Sequence, residues 1–389
     1  MVVHSYYPVG EPRAEREAVA AADASYTVDV ICLRRPHELA VEKTEGITSI
    51  RLPVQHVRGV SAVRSISEYI GFTVRATVAV LKLHRQRKID IVYVHAPPDF
   101  LIAAALIPRF LGACVVLDIH DLSPDMFHAR FGGRRFAHPV ERTLRLVERA
   151  ACALAHRVVT VHEPYREELV EHGVPRSKIA VVMNAPDTEA INDARAAAAA
   201  EADHGRFVVS YHGTITHWYG VDLIIEAVAR LRERVPDIRA VILGEGDALP
   251  AVEQLASRLA VDRQIEFQKG FVSHEEALRR VASASCGVIP NRRSQLNRFA
   301  LSSKLLDYVL LGVPVVVARL ETLAAHFSPE EVTFFEGDDA ESLAEAIAWV
   351  AEHPTDAREK AERARRRAEE YSWAKSRARL LEALTCRDS

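Results

Sequence analysis

Short runs of Val and Ile recur along the chain, separated by longer stretches in which apolar residues return every three or four positions. In the first half the runs are Val2–Tyr6, Tyr26–Leu33, Ile47–Leu52, Ile89–Val94, Cys114–Asp118, Arg157–Val161 and Ile179–Val182. Most are nearly continuous rather than alternating, which predicts strands covered on both faces. The stretches 13–22, 63–87, 101–111, 139–155 and 164–172 predict the helices between them. The pattern breaks at 193–206, DARAAAAAEADHGR, which reads as a short helix running into a linker. Strand candidates then resume at Phe207–His212, Arg239–Leu243, Gln264–Phe267, Cys286–Pro290, Val313–Val317 and Val332–Phe335. Helix candidates 220–234, 248–260, 273–284, 303–311 and 342–353 alternate with them, and a charge-laced helical tail, 357–384, breaks near Tyr371-Ser372-Trp373. Twice-repeated strand–helix alternation predicts an α/β chain of two doubly wound, Rossmann-like domains, 1–190 and 205–370, facing a central cleft.

Composition fits this picture. The chain has 389 residues, 49% apolar and 26% charged, enough for two cores. A net charge of −3 gives no global drive toward nucleic acid, so no nucleic-acid partner is expected. No run approaches the ~18 apolar residues of a membrane-spanning helix, and MVVHSYYPVGEPR lacks the plan of a signal peptide. The five cysteines, Cys32, Cys114, Cys152, Cys286 and Cys386, are scattered, so neither a disulfide framework nor a metal site is expected. The expectation is a cytoplasmic protein. One stretch is locally basic: Arg58, Arg64, Arg75, Lys82, Arg85, Arg87 and Lys88 stand against Glu68. Ile66, Ile70, Val74, Val78 and Leu81 follow helical spacing there. A solvated helix face and a peripheral contact with an anionic membrane, at the inner face, both fit.

Strand ends are where chemistry is sought in such folds. VVLDIHDLSPD, 115–125, runs a buried strand into Asp118, His120 and Asp121. His120 reads equally as a site residue or as a structural histidine satisfied by a carboxylate. VYVHAPPDF, 92–100, carries His95 as a lesser candidate and Asp99 as a helix cap. In YYPVGEPR, 6–13, Gly10 suits either a turn or a backbone that approaches a phosphate. HGTITHWYG, 212–220, brackets a polar loop with Gly213 and Gly220. With no cation in it, anion binding there would rest on backbone amides and Thr214. PNRRSQLNRFALSSKLLDYVLLGVPVV, 290–316, is the most informative stretch. A loop with Arg292 and Arg293 leads to a helix capped by Ser302 or Ser303 and closed at Gly312. Lys304 in its first turn opposes the helix dipole unless an anion is bound. Asp307 lies one turn on, placed for ribose hydroxyls, with a Lys304–Asp307 ion pair as the bland alternative.

PPDFL with DIHDLSPD, HGTITHWYGVDLIIEAV and NRRSQLNRFALSSKLLDYVLLGVPVV together resemble glycosyltransferase family 4, the retaining GT-B family, over nearly the whole chain. The resemblance implies a second domain that binds a nucleotide-diphosphate sugar and a first domain on the acceptor side. It implies a helix from Trp373 that returns to the first domain. It assigns His120 to catalysis, and the anion site read at the helix start adds Lys304. It places Gly10, Gly244, Val272 and Asp307 at the donor; the reading of the residues adds Gly213, Thr214, Arg292, Arg293, Ser303 and Lys304 there, and puts His95, Asp99 and Asp121 on the acceptor side. Phe299, eight residues before Asp307, departs from the first acid of the family's E-x7-E motif. The Arg and Lys common after the second domain's first strand are also missing, so Arg292, Arg293 and Lys304 are expected to compensate. The implied reaction is transfer to an unidentified acceptor, with no metal or other cofactor. A GT-B-like sugar-nucleotide 2-epimerase and an inactive partner subunit are the alternatives.

Overall fold

The computed structural model describes residues 1–8, 10–56, 62–131, 137–185, 188–201, 206–270 and 273–386. Two compact units form: Met1–Asn184 with Ala374–Ser389, and Ala185–Trp373.

The first unit holds an eight-stranded sheet of β1 (Val2–Tyr6), β2 (Val28–Leu33), β3 (Val41–Thr44), β4 (Ile47–Leu52), β5 (Ile91–Ala96), β6 (Cys114–Ile119), β7 (Arg157–Thr160) and β8 (Ile179–Val181). Their order is β3-β4-β2-β1-β5-β6-β7-β8. All pair in parallel except β3, which runs back along β4. β3 escapes the hydrophobic pattern because all four of its residues are exposed. Its signal is the two-residue turn Glu45-Gly46, both at positive φ, which closes a hairpin. The second unit holds β9 (Phe207–His212), β10 (Ile238–Leu243), β11 (Ile265–Gln268), β12 (Cys286–Ile289), β13 (Val315–Ala318) and β14 (Thr333–Phe335). They are ordered β11-β10-β9-β12-β13-β14, all parallel. The order reverses beside β1 and again beside β9. Those are the switch points where α/β sheets bind ligands.

Burial explains the composition of the strands. β6 is buried throughout beyond its first residue, and β13 is buried at all four. The expected helix 101–111 is instead a 3-10 helix, Asp99–Ala105, followed by a short α-helix, Leu106–Phe110. Pro108 has no amide to continue the ladder. The tail divides at Tyr371–Trp373 into Pro354–Ala368 and Trp373–Leu384. Leu380 and Leu384 of the last helix are buried in the first unit.

The expectation of no disulfide fails at one pair. Cys114, opening β6, and Cys386, beyond the last helix, are bonded, with Cα atoms 6.2 Å apart and a sequence separation of 272. Cys32, Cys152 and Cys286 are free and buried. Among the described residues no helix is long and apolar enough to cross a membrane.

Candidate active site

In the second unit the site is built at the β9–β12 switch point. β9 ends at His212, and Gly213 follows with φ +116°, where a side chain is strained. A Cβ on Gly213 would lie 2.2 Å from Lys304 Cε, so glycine lets the lysine cross the loop. A Cβ on Gly244 would fall 2.0 Å from the Gly213 carbonyl oxygen. The loops after β9 and β10 therefore pack backbone on backbone. The Gly213 amide donates to Leu243 at 2.8 Å and extends the sheet, so it is not free for a ligand.

Helix Ser303–Leu311 meets this loop. Ser302 stands at the cap position, but its side chain makes no capping bond. The first amides of the helix therefore lack a side-chain acceptor, and Ser303 beside them is exposed. Gly287 of β12 sets how closely the helix packs, since a Cβ there would strike the Tyr308 ring at 2.5 Å. Lys304 lies against two rings, its Nζ 4.5 Å from the Tyr219 centroid and 5.8 Å from that of Tyr211. Burial pushes its pKa down to about 8, and Asp307 offsets this only in part. Among the described residues Lys304 forms no ion pair, so the Lys304–Asp307 pair does not form. Asp307 is buried, and its Oδ2 accepts from His212 Nε2 and His274 Nε2, both at 3.1 Å. Burial alone would raise the Asp307 carboxyl, but the two imidazoles outweigh it and hold the pKa below the ordinary value. Its Oδ1 is buried with no hydrogen-bond partner, an acceptor left open.

The arginines do not compensate as expected. Arg292 pairs with Asp222 and, at 3.1 Å, with Asp338. Arg293 pairs with Glu336 at 2.5 Å. Their charges are met by carboxylates from a helix (Asp222) and a loop (Glu336, Asp338), so among the described residues Lys304 is the cation left for an anion here. Thr214 is exposed, and its carbonyl accepts from the Tyr211 hydroxyl at 2.7 Å. Asn297, fully buried, donates to the Trp218 and Arg292 carbonyls and ties the two site loops together. Phe299 is buried under the Arg298 guanidinium. Val272 lies outside the described residues.

In the first unit four side chains gather around Asp118, at the end of β6. Arg13, from helix Pro12–Asp23, grips its two oxygens at 2.8 and 2.7 Å. His95 Nδ1 and His120 Nδ1 both lie 3.1 Å from Asp118 Oδ2. Glu17 lies 3.1 Å from Arg13. Burial would raise Asp118, but Arg13 and the two histidines hold it well below the carboxylate range. One carboxylate then serves two unlike histidines. For His120 burial opposes the charge, yet Asp118, Asp121 and Glu11 outweigh it and raise the pKa to about 9. For His95, sealed inside the strand layer, burial wins and lowers the pKa to about 4. His95, Asp118 and His120 are close enough to share an ion. Asp118 already neutralises Arg13, however, and a cation there would meet the guanidinium.

Two acceptor candidates lie inside the unit: His95 is 1% and Asp99 2% exposed. Asp99 does not cap its helix, because Pro98 holds that position. Burial pushes the Asp99 carboxyl up to about 7. Asp121 and His120 remain half-buried at the strand end. The Gly10 amide donates to the Tyr6 carbonyl at 2.6 Å, so the turn uses it, and a Cβ would crowd that oxygen at 2.4 Å. Sequence reasoning missed Arg13, Glu17, His212 and His274. The one legible hint is Arg13 and Glu17, charged residues one helical turn apart on an otherwise alanine-rich face.

Comparison with known proteins supplies the class. The sequence model of Glycosyltransferase Family 4 matches residues 12–190 and that of Glycosyl transferases group 1 matches 192–371. The chain belongs to glycosyltransferase family 4, with the GT-B fold of two Rossmann-like units. Similar curated proteins include a GDP-mannose-dependent alpha-(1-6)-phosphatidylinositol monomannoside mannosyltransferase of Mycolicibacterium smegmatis, 30% identical over 177 residues (43% of this chain, 45% of that protein). Alpha-D-kanosaminyltransferase of Streptomyces kanamyceticus is 29% identical over 214 residues (52% and 54%). The chain thus spans about half the length of the curated relatives it matches. Similar solved structures include sucrose-phosphate synthase of Thermosynechococcus elongatus, with TM-score 0.74 and 19% identity over 95% of this chain and 91% of that one. HepE of Anabaena, solved with UDP, has TM-score 0.71 and 15% identity over 99% and 98%.

Proposed function

We propose that the chain transfers a sugar from a nucleoside-diphosphate donor to an acceptor with retention at the anomeric carbon. The observation that carries this reading is Lys304: a cation without an acid partner, beside an uncapped helix end. That combination suits a diphosphate, and Asp307 Oδ1 suits a ribose hydroxyl. Negative charge grows on the β-phosphate as the glycosidic bond breaks, and preorganised donors there stabilise the transition state. The imidazolium of His120 suits the reacting face of the sugar. The departing diphosphate takes the acceptor proton, so neither a protein nucleophile nor a metal is required. The names of the relatives make GDP-mannose the first donor to test, and the HepE complex makes UDP-glucose the second.

The acceptor side of the reading is a peripheral contact with an anionic membrane. On helix Ala62–Gln86, Ile66, Ile70, Val74 and Val78 are exposed, Val78 by 61%, with Arg75, Lys82 and Arg85 also exposed. Its one acid, Glu68, instead pairs with His4 and His56. Arg58 lies outside the described residues.

The test is thermal unfolding against nucleotides and nucleotide sugars. A matching donor at about 100 times its Kd stabilises the protein by about 2.7 kcal/mol. Lys304→Gln should weaken it roughly tenfold to hundredfold, the worth of a charge-assisted hydrogen bond. Unchanged affinity in that variant overturns the reading. Conversion of the donor without an acceptor would point to the epimerase, and donor binding with no transfer to an inactive partner.

A further inference from the structure

The two oxygens of Asp307 stand in unlike states. Oδ2 lies 3.1 Å from His212 Nε2 and 3.1 Å from His274 Nε2. Oδ1 is buried and, among the described residues, meets no hydrogen-bond partner. The two histidines come from separate elements. His212 ends β9, and its ring stands edge-on to Tyr308, with centroids 5.0 Å apart. His274 opens helix His274–Val281, whose start is fixed by the Ser273 hydroxyl accepting from the Glu276 amide. Burial works against the charge on Asp307, but the two imidazoles hold its carboxyl below the ordinary range. An ionised carboxylate only accepts, so each Nε2 carries a hydrogen and donates.

Two donors on one oxygen fix the side chain against the half-turn that would exchange its oxygens. Oδ1 is thereby kept bare in a setting where polar atoms normally find partners. The partner it lacks is a donor. A second cation there would join Lys304, one helical turn earlier on the same face, and the two imidazoles. A neutral hydroxyl adds no charge and makes a charge-assisted hydrogen bond. Lys304 and Asp307 are separated by about 4.5 Å along the helix axis, so a nucleotide held at Lys304 by its phosphates can bring its ribose to Asp307.

We propose that His212 and His274 are positioning residues that make the donor site select nucleotides by their ribose hydroxyls, by pinning Asp307 through Oδ2 and presenting its Oδ1 to the sugar. This rests on the diphosphate reading of Lys304 and narrows the substrate class. Ribonucleoside-diphosphate donors are preferred over those whose ribose has lost its hydroxyls. Lys304 serves the phosphates and the two histidines serve the ribose, so the two contributions are separable.

The experiment measures, by calorimetry on the full chain, UDP and GDP against their 2′,3′-dideoxy forms. For the base that binds, the ribose form should be tighter by roughly tenfold to hundredfold, as expected for one charge-assisted hydrogen bond. His212→Leu should remove most of that ratio by weakening the ribose form alone. His212→Gln, whose amide nitrogen can stand where Nε2 stood, should recover most of it. His274→Ala, on the surface side of Asp307, should lower the ratio at least about threefold. Lys304→Gln should weaken both forms alike and leave the ratio unchanged. Equal affinity of the two forms in the unmutated protein, or a ratio that survives both His212→Leu and His274→Ala, overturns the inference and leaves the diphosphate reading standing. A parallel fall of both forms in His212→Leu marks a structural role and overturns it too. Failure of every form to bind overturns the diphosphate reading and the inference with it. If His212→Leu does not fold, His274→Ala decides.

Discussion

At the scale of single residues, environment decides what identical side chains do. His95 and His120 share one oxygen of Asp118, yet one is sealed and the other sits half-buried at the strand end. Their ring resonances should titrate near pH 4 and pH 9 respectively, and coincident titration near 6.5 would refute the arrangement. The sign follows for stability. The pKa of His120 is raised on folding, so its contribution is complete below about 6.5 and fades as pH rises through about 9. Lys304 behaves in the opposite sense. Its pKa is lowered to about 8, and a diphosphate needs the charged form. Donor affinity should therefore be flat below pH 8 and fall above it, as measured by calorimetry across pH 6.5 to 9.5. In Lys304→Gln that slope should vanish.

At the scale of elements, function rests on how closely backbones approach. Gly213 is glycine for two reasons, its φ of +116° and the Lys304 side chain lying where a Cβ would be. Gly213→Ala should leave the sheet intact but push Lys304 from the helix end. Donor affinity should then drop about as far as in Lys304→Gln, with a loss in stability of about 1–3 kcal/mol from backbone strain. Helix Ala62–Gln86 makes a separate prediction. Val74→Glu with Val78→Glu adds two acids to an exposed face and removes no buried contact. Sedimentation with vesicles containing phosphatidylglycerol should fall at least tenfold for this variant, and both proteins should ignore purely zwitterionic vesicles. The elements themselves were largely readable from the sequence, because a covered parallel strand must be a Val and Ile run. β3 was not, since an exposed edge hairpin has no core pattern to display.

At the scale of the whole molecule, two units each carry a core and a sheet of their own. Scanning calorimetry of the full chain should resolve two transitions. A bound nucleotide should raise the transition of the unit that holds Lys304. Cys386→Ser, which frees the end of the terminal helix from β6, should lower the other by about 2–4 kcal/mol. A nucleotide that raised the wrong transition would relocate the donor site.

By itself the sequence determined whatever depends on neighbours along the chain. Strand and helix periods, the restart of alternation at Phe207, the glycine after β9, and Lys304 and Asp307 on one helix are all local regularities. Tertiary structure alone decided which distant charges meet. It brought Arg13 to Asp118 across 105 residues, His212 and His274 to Asp307, and Cys386 to Cys114. It also gave Arg292 and Arg293 to Asp222, Asp338 and Glu336, leaving Lys304 as the site's cation. The physical reason is that such pairings follow sheet order and register. These are set by packing all the strands at once, and no window of sequence contains them.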